Sequence, residues 1–457
     1  MARRNGNFGK IVVLLLLIGI VGILAYLYNS TMFEQKKPTL KVADTLYWNF
    51  KNPIPIEIFD ESGVKFARVT LSDGDSTIVL VNEVFKDLQK RVQVQAKYPR
   101  TAFFDKKAKL TLSIDASDNS MWNFFMGNEI RKNIPIKIDV KKPGLNIISH
   151  SYSIVKGGVG SVIFGADDEN LDKLYIKTSS NNIFKPTPFY KDGHYISLVA
   201  WGHHEKDFTA HIIAVDKAGN ETRDKIRFYL LNKRYKTSTI TIKDQFINGK
   251  INELAQEYEP NNASNMNNLE KFRFVNETLR KDNELIIHNK SKKVPNLLLD
   301  NFYLKSFYPL KNSAAVASFG DHRYYKYKGQ NVSESFHLGL DLASTKQADI
   351  KSSNDGIVVF ANENGIYGKN IIISHGLGIY SLYGHCSSFA VSVGDEVKKG
   401  DIIAKSGLTG LALGDHLHFG ILVQGIEVRP EEWMDKKWFF NNITSVIEDA
   451  KKLINRK

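Results

Sequence analysis

Residues 11–28, IVVLLLLIGIVGILAYLY, run without a single charged side chain. Eighteen residues of helix rise about 27 Å, close to the hydrocarbon thickness of a bilayer. A helix that is apolar all round has no polar face to offer water, so a core helix this near the terminus is a poor reading. The segment is predicted to be a transmembrane anchor over 11–28. Arg3, Arg4 and Lys10 precede it, which assigns the 1–10 tail to the cytoplasm and the bulk of the chain to the extracytoplasmic side, periplasm or cell wall. A cleaved signal peptide is the rival. The run is long for a signal core, and the exit Ala25-Tyr26-Leu27-Tyr28-Asn29-Ser30 lacks a small-x-small cleavage site. We therefore expect the helix to be retained, with the membrane as one partner.

The chain has 457 residues, room for about three domains. With 42% hydrophobic and 24% charged residues, it is ordinary globular material and not a disordered chain. A net charge of +13 favours polyanionic surroundings, such as nucleic acid, anionic lipid or acidic wall polymers. The basic residues form no long tract, so a generally basic surface is expected and nucleic acid is not expected as a partner. Cys386 is the one cysteine. An intramolecular disulfide and a zinc site of several thiolates are both excluded.

Past a polar connector, residues 39–142 read as short strands. Ile54-Pro55-Ile56-Glu57-Ile58 and Leu110-Thr111-Leu112-Ser113-Ile114 alternate with period two between turn signals. Residues 143–235 repeat the style, with Tyr195-Ile196-Ser197-Leu198-Val199 and His211-Ile212-Ile213-Ala214-Val215. Each stretch holds a strand, an Asx-rich turn (Asp118-Asn119; Asp216-Lys217-Ala218-Gly219-Asn220) and a returning strand, the pattern of a hairpin. Two β-sandwich modules, resembling bacterial immunoglobulin-like ones, are predicted. Residues 245–290 change character. Helical spacing over 248–258 and 268–285, broken at Pro260 and Asn261-Asn262, predicts two helices joined by a loop. A second all-β block occupies 300–435, and a basic helical tail 436–457.

That block holds His337, His375, His385, His416 and His418. His337 and Asp341 form H-x3-D; His416 and His418 form H-x-H. Imidazole nitrogen and carboxylate oxygen are zinc donors, and a catalytic zinc takes three protein ligands and keeps one open position. In a strand, residues i and i+2 face one side, so His416 and His418 can address one site. His337 and Asp341 need a turn, which Gly339 permits. Either pattern alone is as readily a packed or surface histidine.

The text around them is more specific. It includes Ala317-Ser318-Phe319-Gly320-Asp321, His337-Leu338-Gly339-Leu340-Asp341, Tyr367-Gly368-Lys369-Asn370, Leu382-Tyr383-Gly384-His385, Val393-Gly394-Asp395-Glu396-Val397 and Gly414-Asp415-His416-Leu417-His418-Phe419-Gly420. In this order, over Phe307 to Pro430, these phrases resemble the lysostaphin-type (LytM-like, M23) zinc metallopeptidases. The resemblance implies a zinc endopeptidase acting on cell-wall peptidoglycan, at a stem or crosslink peptide. It implies His337, Asp341 and His418 as Zn2+ ligands, and His385 and His416 as catalytic residues. Some relatives have lost ligands and serve as activators or scaffolds of other wall hydrolases, which leaves a catalytically silent role as the alternative. Regulatory envelope proteins are candidate partners in either case.

Other features carry bland readings. Cys386, where the family usually has an apolar residue, is expected to be a small core residue. His375 ends an apolar strand and is expected to be structural. His203-His204 are expected in an exposed loop, and Asp167-Asp168-Glu169 lacks calcium-loop spacing. The hairpin at Val393–Gly400 resembles those of lipoyl-type carriers, but no lysine stands at its tip. His322, Arg323 and Tyr324 to Tyr327 are expected to line the groove, and the 245–290 segment to pack near it and limit access. The whole is expected to be mainly β: an N-terminal transmembrane helix, two β-sandwich modules, a helical linker and a C-terminal all-β LytM-type domain.

Overall fold

A computed structural model describes residues 7–99, 109–295, 298–300 and 302–456; residues 1–6 of the expected cytoplasmic tail lie outside the described residues. Asn7–Asn29 is one continuous helix. It is long and apolar enough over Phe8–Asn29 to cross a membrane, and none of that stretch is buried. The chain beyond forms two compact units. The first is Met1–Pro143 with Asn170–Asp172 and Val215–Glu221. The second is Gly144–Glu169, Lys173–Ala214 and Thr222–Lys457.

In the first unit the period-two alternation becomes a sandwich. Ile54–Phe59 lies between Thr39–Lys41 and Arg91–Ala96 in a three-stranded sheet, and Leu110–Asp118 lies inside a five-stranded one. Ile56, Ile58 and Val94 from the first sheet meet Val69, Leu112 and Ile114 from the second in one core, because successive residues of a strand face opposite sides.

The two hairpins share a clamp at one end. Oδ1 of Asp118 accepts from the backbone N–H of Asn128 at 2.8 Å, and Oδ2 from its side-chain amide at 2.7 Å. Asp216 does the same for Asn220, both at 2.8 Å. A left-handed glycine precedes each asparagine, Gly127 with φ 80° and Gly219 with φ 79°, a conformation that only glycine adopts without cost. The first copy has the longer turn, so Asn128 and not Asn119 closes it.

Past the first unit's sandwich the chain forms two four-stranded sheets, centred on Val159–Asp167 with His194–Ala200 and on Leu171–Thr178 with Ala210–Asp216. Helices follow over 244–258 and 268–290. The second starts at a capping box, in which Asn267 accepts from the N–H groups of Leu269 and Glu270 while Glu270 accepts from that of Asn267. Both helices are buried along one face. Ile247, Ile251, Phe272, Val275, Leu279 and Ile287 form one core with Ile372, Tyr380, Leu382 and Leu422. Each large apolar side chain so buried contributes about 1.5–3 kcal/mol. The helical segment is therefore a layer of this unit rather than a loose connector.

The sheet it covers runs Ala314–Ala317, Leu340–Ala343, Leu417–Val423, Ile379–Cys386, Lys369–Ser374, Gly356–Glu363, Glu396–Val397, with Ile426–Val428 beside Leu417–Val423. A neighbouring hairpin, His322–Tyr327 with Gln330–Phe336, takes Thr237–Thr241 as a parallel third strand.

Helix resumes at Pro430, and Ser445–Arg456 buries Val446, Ile447, Ala450 and Ile454. Glu432 anchors this end. Its Oε2 accepts from the N–H of Val159 at 3.1 Å and its Oε1 from Arg429 at 3.2 Å. Burial outweighs those favourable contacts and pushes its pKa up to about 7. A carboxyl raised in the folded state contributes stability that is complete below its ordinary value near 4.5 and is lost as pH rises through about 7. In Glu432→Gln that loss should disappear. The variant's melting temperature should gain on wild type by roughly a few degrees between pH 4.5 and pH 8, as read from paired thermal melts.

Candidate metal centre

Strand pairing assembles the centre. Leu340–Ala343 runs antiparallel to Leu417–Val423 with Asp341 opposite His418, and on the far side His418 stands opposite Gly384, the residue before His385. His337 precedes the first of these strands. Its Nδ1–H donates to the carbonyl of Ser318 at 2.9 Å, which leaves the Nε2 lone pair facing inward.

Three donor atoms converge there. His337 Nε2 is 2.9 Å from Asp341 Oδ1, His418 Nδ1 is 2.8 Å from the same oxygen, and the two nitrogens are 3.1 Å apart. His337 and His418 are buried and Asp341 nearly so. A tetrahedral ion with nitrogen and oxygen ligands at about 2.0–2.1 Å holds them about 3.3 Å apart, so this triangle fits a single metal ion. Two facing imidazole nitrogens and a carboxylate, all turned to one point away from bulk water, are otherwise a costly arrangement. Burial pushes the Asp341 carboxyl up, but the imidazoles of His337 and His418 set against it hold it well below the ordinary carboxylate range. Burial lowers His418 to about 4 against the opposing pull of Asp341, so the ring is neutral and able to ligate at neutral pH.

His385 and His416 flank the triangle, their rings 4.8 Å apart, with His385 5.8 Å from His418. Nδ1–H of His385 donates to the carbonyl of Thr409 at 2.8 Å, and that of His416 to the carbonyl of Gly414 at 2.7 Å. Each Nε2 is left with a lone pair; that of His416 lies 3.7 Å from Asp341 Oδ1. Burial, with smaller contributions from His418 and His416, lowers His385 to about 3. Its backbone is left-handed at φ 61°, a strained conformation for a residue with a Cβ and one that clusters at functional sites. His416 sits just before its strand, bridged to Gly407, so the two histidines of H-x-H do not share one regular strand as the spacing had suggested, though both reach the site.

All five side chains line a cavity of ≈ 710 Å³, within the usual range for a ligand site. Tyr367 stands edge-on to His418, ring centroids 5.4 Å apart. Of His322, Arg323 and Tyr324 to Tyr327, all expected at the groove, Arg323 and Tyr325 line the cavity and the others do not; Phe246, Lys250, Phe272, Asn276 and Arg280 of the helical segment line it too. That segment was expected near the groove; the particular residues were not singled out, since only the helical spacing of Phe272, Asn276 and Arg280 marks them as one face.

The other expectations divide. Cys386 is wholly buried, and its thiol is pushed up to about 12 by that burial. His375 donates its Nδ1–H to the carbonyl of Asp355 at 2.8 Å, and its Nε2 is hydrogen-bonded to Ser381 Oγ at 2.7 Å, away from the centre. His203 departs from its expected exposed loop. It is half-buried with its ring against Phe336 and Phe319, at 4.8 and 5.8 Å, and burial lowers it to about 4. Gly339 is needed for space rather than for a turn. Its φ is not left-handed, but a Cβ there would lie 2.5 Å from Nε2 of His418 and 2.9 Å from the carbonyl oxygen of Phe419.

With this geometry in place, the comparisons give the class. Residues 335–430 match Peptidase family M23, and this part of the chain is a LytM-type peptidase M23 domain. The DD-carboxypeptidase/endopeptidase Mpg of Neisseria meningitidis is 35% identical over 94 residues, 21% of this chain and 22% of Mpg. The murein hydrolase activator EnvC of Escherichia coli is 33% identical over 112 residues, 24% of this chain and 27% of EnvC. The peptidoglycan DD-endopeptidase ShyA of Vibrio cholerae is 31% identical over 118 residues, 26% of this chain and 27% of ShyA. The chain thus spans about a quarter of the length of each of these relatives.

Gly339→Ala should displace His418 and empty the centre. Metal analysis of the purified variant should find well below one metal ion per chain, against an expected value close to one for wild type; full retention would mean that His418 does not hold the metal.

Proposed function

We propose that this chain is a membrane-anchored zinc endopeptidase of the cell envelope, hydrolysing peptide bonds in peptidoglycan at a stem or a crosslink. The observation that carries the reading is the convergence of His337, Asp341 and His418 within 3.1 Å of one another, in a cavity that also receives two histidines with free Nε2 lone pairs. ShyA, named as a peptidoglycan DD-endopeptidase, and Mpg, named as a DD-carboxypeptidase/endopeptidase, support the substrate class. The apolar helix Phe8–Asn29 supports an anchor with the bulk of the chain outside the membrane.

His337, Asp341 and His418 hold the ion. Zinc supplies Lewis-acid polarisation of the scissile carbonyl and acidification of water when bound. The remaining work falls to the chain. His416 and His385 are each locked by a backbone carbonyl into the tautomer whose Nε2 accepts a proton, so either can take one from the attacking water. The ring that has taken it becomes a donor, able to stabilise developing negative charge on the carbonyl oxygen or to return the proton to the leaving amine. Phe246, Phe272 and Tyr367 narrow the cavity with apolar surface, which strengthens each of these electrostatic contacts.

EnvC, named as a hydrolase activator, favours the second reading, a catalytically silent activator of another wall hydrolase. Purified peptidoglycan incubated with the zinc-loaded chain separates the two. Release of soluble muropeptides, reduced at least about 100-fold in His418→Ala and His385→Ala, with mass analysis naming the bond, is the expected outcome. No release from wild type that retains its zinc would leave the activator reading in place.

A further inference from the structure

We infer that Arg280 is a carboxylate anchor in the substrate cavity, making the enzyme selective for peptides that carry a free carboxylate close to the scissile bond. The inference rests on the peptidase reading above. Arg280 comes from the helical segment, far outside the 335–430 match, yet lines the same cavity as the five site residues. Its guanidinium is aimed by a neighbour: Nε donates to the carbonyl of Asn276 at 3.1 Å and Nη2 to its Oδ1 at 3.0 Å. Asn276 is 1% exposed and is itself pinned, its Nδ2 donating to Ser333 Oγ at 2.8 Å and to the carbonyl of Glu334 at 3.3 Å. The direction of the guanidinium is thus set by the fold before substrate arrives, and preorganisation of this kind spares the entropy of ordering a long side chain.

The charge of Arg280 is not spent inside the protein. Among the described residues no carboxylate forms an ion pair with it, whereas Arg323, at the same cavity, pairs with Asp321 at 3.4 Å and Lys250 with Glu253 at 3.5 Å. The acid that approaches Arg280 is Glu284, one helical turn on. Burial pushes Glu284 up to about 7 against the opposing effect of Arg280, so it does not fully neutralise its neighbour at neutral pH. A cation left uncompensated in a half-enclosed cavity, beside a centre that takes a metal cation, is unfavourable until an anion enters. Guanidinium pairs best with a carboxylate, by two parallel N–H···O bonds. The free carboxylates of a wall peptide are of two kinds, the side carboxyl of an acidic residue and the chain-terminal carboxyl, and both offer this chemistry.

The test uses the full-length zinc-loaded chain in detergent and three synthetic crosslinked muropeptides. One has all carboxylates free, one has its side carboxylates amidated, and one has its terminal carboxylate amidated. Wild type should cleave the free form with kcat/KM about 10- to 100-fold above one of the amidated forms, mainly through KM; which one identifies the carboxylate. Arg280→Gln should lose that preference, and Arg280→Lys should restore part of it. Equal cleavage of all three by wild type overturns the inference without any variant, and so does a preference that survives in Arg280→Gln. If no peptide is cleaved at all, the peptidase reading fails separately. Calorimetric binding of the same three peptides then decides the anchor: tighter binding of the free form, lost in Arg280→Gln, upholds it, and equal binding refutes it.

Discussion

The pairing of Leu340–Ala343 with Leu417–Val423 is the constraint on which the site depends. It sets Asp341 directly opposite His418, and cross-strand neighbours on one face are close enough to share an ion. A slip of one residue would turn His418 to the other face of the sheet. The pairing of Leu417–Val423 with Ile379–Cys386 then brings His385 to the same edge. The site's parts come from widely separated stretches of chain, but their geometry reduces to the register of three adjacent strands. Gly339 lets the first of those strands approach closely enough for His418 to reach inward.

Around that register the second unit adds a wall that the M23 match does not include. The helices over 244–258 and 268–290 share an apolar core with the sheet, and the same helices put Phe246, Phe272 and Arg280 into the cavity. Packing against the sheet and lining of the cavity are thus properties of one helix face. Phe272 rests edge-on against Tyr325, and one turn further the polar pair Asn276 and Arg280 takes over. The hydrophobic contact holds the helix in place, and the hydrogen bonds decide what it presents.

How much of this was legible in the sequence depends on the range of the interaction. The apolar N-terminal helix, the alternating strands and the two linker helices are local patterns, and the local run of residues announces them. The residues of the centre were legible because their phrases resemble a known family, and the structure brings the five together. The reason for Gly339 was not, since the atom it makes room for belongs to a residue about eighty positions further on. His203 looked like an exposed loop residue for the same reason, as its cover comes from Phe319 and Phe336. In the first hairpin the clamp closes on Asn128, ten positions beyond Asp118, a partner that the Asx-rich turn at Asp118-Asn119 does not announce. Arg280 carried no signal of its own. A single arginine in a charged helix is ordinary, and only the buried Asn276 beneath it makes it different.

The shared core also bears on how portable the M23 domain is. A chain cut at Pro295 would bare Ile372, Tyr380, Leu382 and Leu422, which are now covered by Ile247, Val275, Leu279 and Ile287. A contiguous apolar patch of that kind invites aggregation or capture by another surface. The region that matches the family is therefore not a cassette that can be lifted out and fused elsewhere with its properties intact. The smallest transferable piece includes the helices, and a chimera built on the matched boundaries alone would inherit an uncovered sheet face.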